Sequence, residues 1–277
     1  KRWPLRRIEE HLDQIVRMHG DARLNDIRDQ ARRIASKLDL KTEFAQLDRL
    51  IGAILGTRAQ ALQSDAARAR ALGAPYDPHR LELFDALYGA ITGRVLPRRD
   101  IGVLTDSQLR NVAFFEAYFS NYIEGTEFSI EEAADIVFRG RITPQRPADA
   151  HDILNTYRIV SNSEEMSRVP ASDDELLHIL KTRHATLLAG RLEKRPGELK
   201  ATVNRAGDTV FVAPDLVAGT LAKGFELYRS LDNPLARAMY MMFIVAEVHP
   251  FDDGNGRIAR IMMNAELAHG GLHRIII

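Results

Sequence analysis

An almost wholly apolar run, Leu235–Val248, is the sequence feature that most restricts the fold. Asn233 and Pro234 precede it and are predicted to be its N-cap and first helical residue. Pro250 ends it, because proline cannot continue a helix. A helix that is apolar on every face must be buried. The sequence therefore predicts a central helix enclosed by other elements, with His249 at its C-terminal end.

The segment after this helix has the composition of a phosphate site. Residues 249–260 read His-Pro-Phe-Asp-Asp-Gly-Asn-Gly-Arg-Ile-Ala-Arg. Successive backbone N–H groups at Gly254, Asn255 and Gly256 can form an anion-binding nest. A second helix is predicted from Arg257 to about Ala268, and its dipole adds positive charge at the same point.

The side chains of this segment favour the same chemistry. Arg257 and Arg260 are three residues apart, so they share a helical face and can bind further phosphates. Asp253 is an oxygen ligand suited to Mg²⁺, and His249 can accept a proton near neutral pH. A calcium loop is excluded because Met263 occupies the position that requires a bidentate glutamate. The absence of a lysine after the glycines excludes a P-loop.

Residues 249–260 resemble the signature of the Fic family, His-Pro-Phe-x-Asp/Glu-Gly-Asn-Gly-Arg-x-x-Arg, at every specified position. The resemblance implies an all-α, Fic-type helical core with a small β-hairpin flap. It also implies transfer of AMP from ATP to a Ser, Thr or Tyr hydroxyl of a target protein. Carried over by position, it gives His249 as the general base and Asp253 as the Mg²⁺ ligand. The implied nucleotide-binding residues are Gly254, Asn255, Gly256, Arg257 and Arg260.

A second stretch resembles the inhibitory motif of Fic proteins, Ser/Thr-x-x-x-Glu-Gly/Asn. It consists of Ser120, Glu124 and Gly125 at the end of a helix predicted over about 107–125, with Gly125 as the C-cap. The resemblance implies that Glu124 pairs with Arg260 and occupies the place of the γ-phosphate of ATP. Considered without the resemblance, a glutamate at this end of a helix opposes the dipole and is typical of exposed surface.

A β-hairpin is predicted between the two motifs. Its strands are predicted at Ala201–Val203 and Thr209–Val212, within a flap at about 201–213. In Fic proteins such a flap pairs with the backbone of the target, a form of strand addition. A simple connector is the alternative. Just before the flap, Leu199 and Lys200 differ from the aromatic residue and arginine that many relatives carry.

Residues 1–100 are predicted to form an N-terminal helical region, and residues 101–277 a Fic core. The N-terminal prediction rests on two apolar stripes at helical spacing. They comprise Ile8, Leu12, Ile15 and Val16, and Phe44, Leu47, Leu50, Ile51, Ile54 and Leu55. A solvated helical surface and a partner-binding or dimerising bundle both remain open for this region.

Two capping boxes predict helix starts in the core. They pair Ser129 with Glu132 and Ser172 with Glu175. His178 and His184 follow the second box. Both are predicted to be structural, because neither has the spacing of a metal-ligand pair.

Composition restricts the partners. The formal net charge is zero, so the sequence shows no electrostatic signal for nucleic acid or an anionic membrane. There is no cysteine, and no apolar run approaches the length of a membrane span. We therefore expect a cytoplasmic protein. The sequence begins without methionine, which suggests a longer protein, and a nucleic-acid partner is expected only if a further domain is missing.

Three alternatives to AMP transfer remain open. The same site could remove AMP from a modified protein. It could instead transfer another nucleotidyl or phosphoryl group. The chain could also be a non-enzymatic helical regulator. Self-modification and a homodimer are further open expectations.

Overall fold

The computed structural model describes residues 3–58, 61–102 and 104–277, and regular structure in these ranges is almost entirely α-helical. This confirms the predicted all-α fold with a small hairpin. The helices are α1 Leu5–Leu38, α2 Lys41–Ile54, α3 Asp65–Ala71, α4 Pro78–Ile91, α5 Asp106–Tyr122, α6 Ile130–Arg139, α7 Pro147–Val160, α8 Ser163–Ser167, α9 Asp173–Leu187, α10 Val217–Tyr228, α11 Pro234–Val248 and α12 Asn255–His269. The strands are β1 Arg205–Ala206 and β2 Thr209–Val210. Within the described ranges, none of these helices combines the length and hydropathy needed to span a membrane.

The chain divides into two compact units. The first comprises the described residues of Lys1–Pro78 together with Ala218–Thr220, and the second comprises His79–Val217 and Leu221–Ile277. All the site residues considered below belong to the second unit. Whether the Fic core begins at residue 101, as predicted, is not tested by this division and stays a prediction.

The first unit is built on α1 and α2. The predicted apolar stripes supply its core, which contains Leu12, Val16, Leu24, Leu50, Ile51, Ala53, Ile54, Leu62 and Ala67. Gly20 interrupts α1 with a φ of 75°, a conformation that glycine adopts without strain. The buried carboxylate of Glu9 accepts hydrogen bonds from the backbone N–H groups of Gln63 and Ser64, at 2.6 and 2.7 Å. It thereby fixes the segment just before α3, whose N-cap is Ser64.

The second unit is organised around α11, as the apolar run predicts. Asn233 caps the helix by accepting hydrogen bonds from the N–H groups of Leu235 and Ala236. Seven residues of α11 are buried, among them Tyr240, Ile244 and Val248. The helix α12 packs against α11 and contributes a further buried apolar face. The C-terminal end of α11 is therefore held in place by its buried side chains and by α12.

Of the two predicted capping boxes, the one at Ser129 is confirmed in full and the one at Ser172 only in part. Ser129 and Glu132 form a reciprocal capping box at the start of α6, and Gly140 ends that helix in the left-handed conformation. The side chain of Ser172 accepts from the N–H of Glu175 as expected. The carboxylate of Glu175, however, bonds to the N–H of the preceding residue, Ala171.

The predicted position of the first flap strand is wrong. Residues 201–203 are unpaired, and β1 lies at Arg205–Ala206, where it pairs with β2 through Ala206 opposite Thr209. A two-residue turn with Gly207 at a φ of 56° joins the strands. The reason lies in Asn204, whose side chain donates to the carbonyl of Phe251 at 2.8 Å. This bond ties the chain before β1 to the loop after α11.

Candidate active site

The loop between α11 and α12 is held by its own side chains. Asn255 accepts from the N–H of Phe251 and donates to its carbonyl, both at 2.8 Å. Gly254 lies in the left-handed region and is the N-cap of α12, which begins two residues before the predicted Arg257. The first N–H groups of α12 have no partner within the helix. Since the Asn255 side chain is occupied by Phe251, this residue can meet an anion through its backbone.

His249 is oriented at the end of α11 by its backbone conformation and by two contacts of its ring. Its backbone is left-handed, with a φ of 54°. Its Nδ1 lies 3.2 Å from the carbonyl of Ala246, which can only accept, so the neutral ring carries its proton on Nδ1. The ring stacks on Phe211 with 3.7 Å between centroids. Burial lowers the pKa of His249, so the ring is neutral at pH 7 and Nε2 is free to accept a proton.

His184 supports the loop from α9. It is fully buried and stacks on Phe251, with 3.8 Å between centroids. Its Nδ1 accepts from the N–H of Gly197 at 2.9 Å, so Nε2 carries the proton and donates to the carbonyl of Asp253. Burial lowers the pKa of His184 to about 4, which keeps it neutral. These contacts agree with the predicted structural role.

Arg257 is buried rather than open to solvent. Its Nη1 lies 2.8 Å from a carboxylate oxygen of Asp152, and both side chains are at most 4% exposed. Nη1 also donates to Asn121 on α5 at 3.3 Å. Asp152 lies in the middle of α7 and additionally pairs with Arg191 at 2.9 Å. No local pattern in the sequence marks Asp152, because its partners are far away along the chain.

The predicted pair of Arg260 and Glu124 is present. Arg260 Nη2 donates to the carboxylate of Glu124 at 2.6 Å. The same guanidinium donates to the hydroxyl and the carbonyl of Ser120, each at 2.9 Å. A Cβ added at Gly256 would collide with Oε1 of Glu124, so that carboxylate lies against the first turn of α12. Gly125 follows with a φ of 88°.

Asp253 lies in the loop just before Gly254, and its side chain is partly exposed. Its Oδ1 accepts from the N–H of Gly254 at 2.7 Å, and its exposed fraction is 37%. Within the described ranges, no cluster of three or more His, Cys, Asp or Glu side chains could hold a metal by itself. Mg²⁺ commonly uses one or two carboxylates, water and substrate phosphates, so Asp253 fits that donor set.

Removal of Asp152 is expected to destabilise the fold strongly. In Asp152→Ala the buried charge of Arg257 loses its partner, and such losses cost about 3–5 kcal/mol. The free energy of unfolding can be measured by urea denaturation with far-UV circular dichroism. Asp149→Ala is the control, because Asp149 also pairs with Arg191 but is 27% exposed. Equal losses in the two variants would contradict the assignment.

Comparison with known proteins finds a family match for the region of the site. The family model of the Fic/DOC family matches residues 175–267, from the start of α9 to the last turns of α12. This range contains the hairpin, His249 and the loop up to Arg260. This part of the chain matches the Fic/DOC family. The resemblance found in the loop motif is thus confirmed for the region that carries the candidate site.

The named relatives of this chain are distant. Protein adenylyltransferase fic-1 of Caenorhabditis briggsae is 25% identical over 183 residues, which are 61% of this chain and 34% of that protein. Protein adenylyltransferase Fic of Nematostella vectensis is 24% identical over 177 residues, 61% of this chain and 40% of that protein. The chain therefore corresponds to well under half the length of either relative.

Solved Fic structures share the fold. Fic-1 from C. elegans aligns with 97% of this chain and 85% of its own, at a TM-score of 0.51 and 18% identity. A Fic domain containing signalling protein from Bacteroides thetaiotaomicron aligns with 71% of this chain and 75% of its own. Its TM-score is also 0.51, at 19% identity.

Proposed function

We propose that this protein is a Fic-type protein adenylyltransferase, which transfers AMP from ATP to a Ser, Thr or Tyr hydroxyl of a target protein. The observation that carries the proposal is the juxtaposition of a neutral, fixed His249 with the N-terminus of α12 and Arg260. The names of the Caenorhabditis and Nematostella relatives describe the same activity. Because the chain covers a minor part of those proteins, the activity is a proposal for this chain.

The chemistry follows from the groups present. The target hydroxyl attacks the α-phosphorus of ATP while Nε2 of His249 takes its proton. A new oxygen–phosphorus bond forms, the bond to the β-phosphate oxygen breaks, and pyrophosphate leaves. The N–H groups of Asn255 and Gly256 and the dipole of α12 stabilise the negative charge on the transferred and leaving groups, while the N–H of Gly254 donates to Asp253 in this state. Since these donors are already oriented, little reorganisation is needed.

Asp253 is proposed to hold Mg²⁺ together with phosphate oxygens. When bound, the ion would neutralise charge on the phosphates that leave. Arg257 stabilises the loop through Asp152, and in this state its Nη1 is occupied by Asp152 and Asn121. Arg260 is then the arginine better placed to meet the phosphates of ATP.

Glu124 is proposed to inhibit the transfer. Its carboxylate accepts a hydrogen bond from Arg260 and lies against Gly256. A phosphate of ATP bound at the same place would contact these two residues instead. A carboxylate and a phosphate oxygen cannot share these donors. ATP would therefore bind with its phosphates displaced while Glu124 stays in place.

The hairpin is proposed to bind the target. Its residues Arg205, Ala206, Thr209 and Val210 are exposed. Arg80 donates to the carbonyl of Val210 at 2.6 Å, so the outer edge of β2 is already engaged. This leaves the outer edge of β1, at Arg205, for pairing with a target backbone.

The test is to incubate the protein with magnesium, a candidate target and ATP labelled at either the α or the γ phosphate. Label on protein from the α position alone is the expected result, and label on this chain would show self-modification. Label from the γ position would indicate phosphoryl transfer instead. Release of AMP from a modified target without ATP would favour the deAMPylase. No label and no nucleotide binding would favour the non-enzymatic regulator.

A further inference from the structure

Lys200 bonds to the backbone on both sides of His249. Its backbone N–H donates to the carbonyl of Pro250 at 2.9 Å. Its ammonium donates to the carbonyl of Val248 at 3.3 Å. His249 between them has a left-handed backbone, which costs energy for a residue with a side chain. The two bonds from Lys200 therefore span the one strained residue of the loop that carries the base.

Asn204 extends this connection to the flap. Its Oδ1 accepts from the ammonium of Lys200 at 2.7 Å, and its Nδ2 donates to the carbonyl of Phe251. Its own carbonyl accepts from the N–H of Phe211 at 3.1 Å, which closes the base of the hairpin. The ring of Phe211 stacks on His249. One chain of contacts thus runs from Lys200 through the hairpin and back to the imidazole.

We propose that Lys200 is a positioning residue for His249, and that with Asn204 it fixes the imidazole relative to the flap on which the target would bind. This inference rests on the proposed function and names a further residue that the reaction needs. Lys200 has no contact with the reacting atoms. It acts by holding the backbone at Val248 and Pro250.

The charge of Lys200 acts in the same direction. Its side chain is 3% exposed, and burial, with repulsion from Arg80, lowers its pKa to about 8. The ammonium is therefore charged at neutral pH, and its field helps to lower the pKa of His249. The other charged or titratable groups that act on this pair are Arg80 on α4, Glu124 after α5, and Asp252 and Asp253 in the loop.

Two variants separate the positioning effect of the hydrogen bonds from the effect of the Lys200 charge on His249. Both are best made in the Glu124→Gly background. Lys200→Met keeps the apolar stem but removes the charge and the ammonium bonds. We expect kcat to fall about tenfold or more, because small misplacements of a catalytic group are costly. KM for ATP should change little. The acid limb of the kcat–pH profile should move up by about half a unit or more. Asn204→Ala should lower kcat without that shift.

Lys200→Arg and Lys223→Met are the matched controls. Lys200→Arg retains a positive donor and should restore most of the lost kcat. Lys223 lies on α10, pairs with Glu226 and is 40% exposed, so Lys223→Met should behave as its parent. Full kcat and an unmoved acid limb in Lys200→Met would overturn the proposal. If Lys200→Met fails to fold, a wild-type kcat in Asn204→Ala would overturn it.

A readout that needs no activity separates this inference from the proposed function. The pKa of His249 can be followed by NMR titration of its imidazole in the wild type and in Lys200→Met. A higher pKa in the variant supports the inference even if no transfer is found in the labelling test. An identical pKa together with unchanged Phe211 ring shifts would overturn it, whatever the activity.

Discussion

Replacing Glu124 with glycine is expected to raise AMP transfer by about 10- to 100-fold. The variant frees Arg260 and the surface of Gly256 for a phosphate of ATP. A hydrogen bond to a charged group contributes about 1.5–3 kcal/mol, and about 1.4 kcal/mol corresponds to a factor of ten. The measurement is the initial rate of label transfer from α-labelled ATP, with equal protein concentrations.

Glu127→Gly is the control for this variant. Glu127 is an exposed glutamate three residues further on, and its substitution changes the net charge equally. Its rate should match the wild type. Arg260→Ala added to Glu124→Gly should remove most of the gain, because the gain depends on that guanidinium. A Glu124→Gly rate equal to that of Glu127→Gly would remove the inhibitory assignment.

Replacing His249 with alanine is expected to lower transfer by about 10²–10⁴-fold, the usual contribution of a general base. ATP binding should survive, since the proposed contacts of the phosphates are with α12 rather than with the imidazole. A thermal-shift assay checks this, because ligand at about 100 times its Kd stabilises by about 2.7 kcal/mol. His249→Asn is the companion variant, since asparagine tolerates the left-handed backbone that alanine resists.

The general-base role of His249 predicts that the rate of transfer falls at low pH. The base works only when neutral, and burial lowers the pKa of His249. The acid limb of the rate should therefore lie below about 6.5, the ordinary value for histidine. His178→Ala is the control, because His178 is exposed on α9. Transfer that persists at the parent rate in His249→Ala would disprove the general-base role.

The sequence predicted those parts of the molecule that depend on neighbouring residues. The burial of α11, its cap at Asn233 and the capping box at Ser129 all follow from local spacing, and the structure confirms them. The pair of Glu124 and Arg260 was predicted only through the family resemblance. No local rule brings the end of α5 to the first turns of α12.

The remaining features depend on contacts between distant segments. Asp152 supports Arg257, and nothing around Asp152 in the sequence marks it as the partner of a buried arginine. The strand predicted at 201–203 has suitable residues, yet Lys200 and Asn204 on either side of it are bonded to Pro250 and Phe251 in the loop after α11. Tertiary hydrogen bonds there override local β propensity. Because these bonds join distant segments, no local pattern indicates that Lys200 positions His249.

The two hydrogen bonds between the Asn255 side chain and the Phe251 backbone affect how readily the loop deamidates. Asparagine followed by glycine is the dipeptide most prone to deamidation, which needs the Gly256 nitrogen to attack the asparagine side chain. Here Asn255 is 2% exposed, both its polar side-chain atoms are hydrogen-bonded, and the backbone is helical. Deamidation of Asn255 therefore requires the first turn of α12 to unwind, and its rate is limited by how rarely this happens. Deamidation would convert the Asn255 amide to a carboxylate and so place a permanent negative charge at the proposed phosphate site.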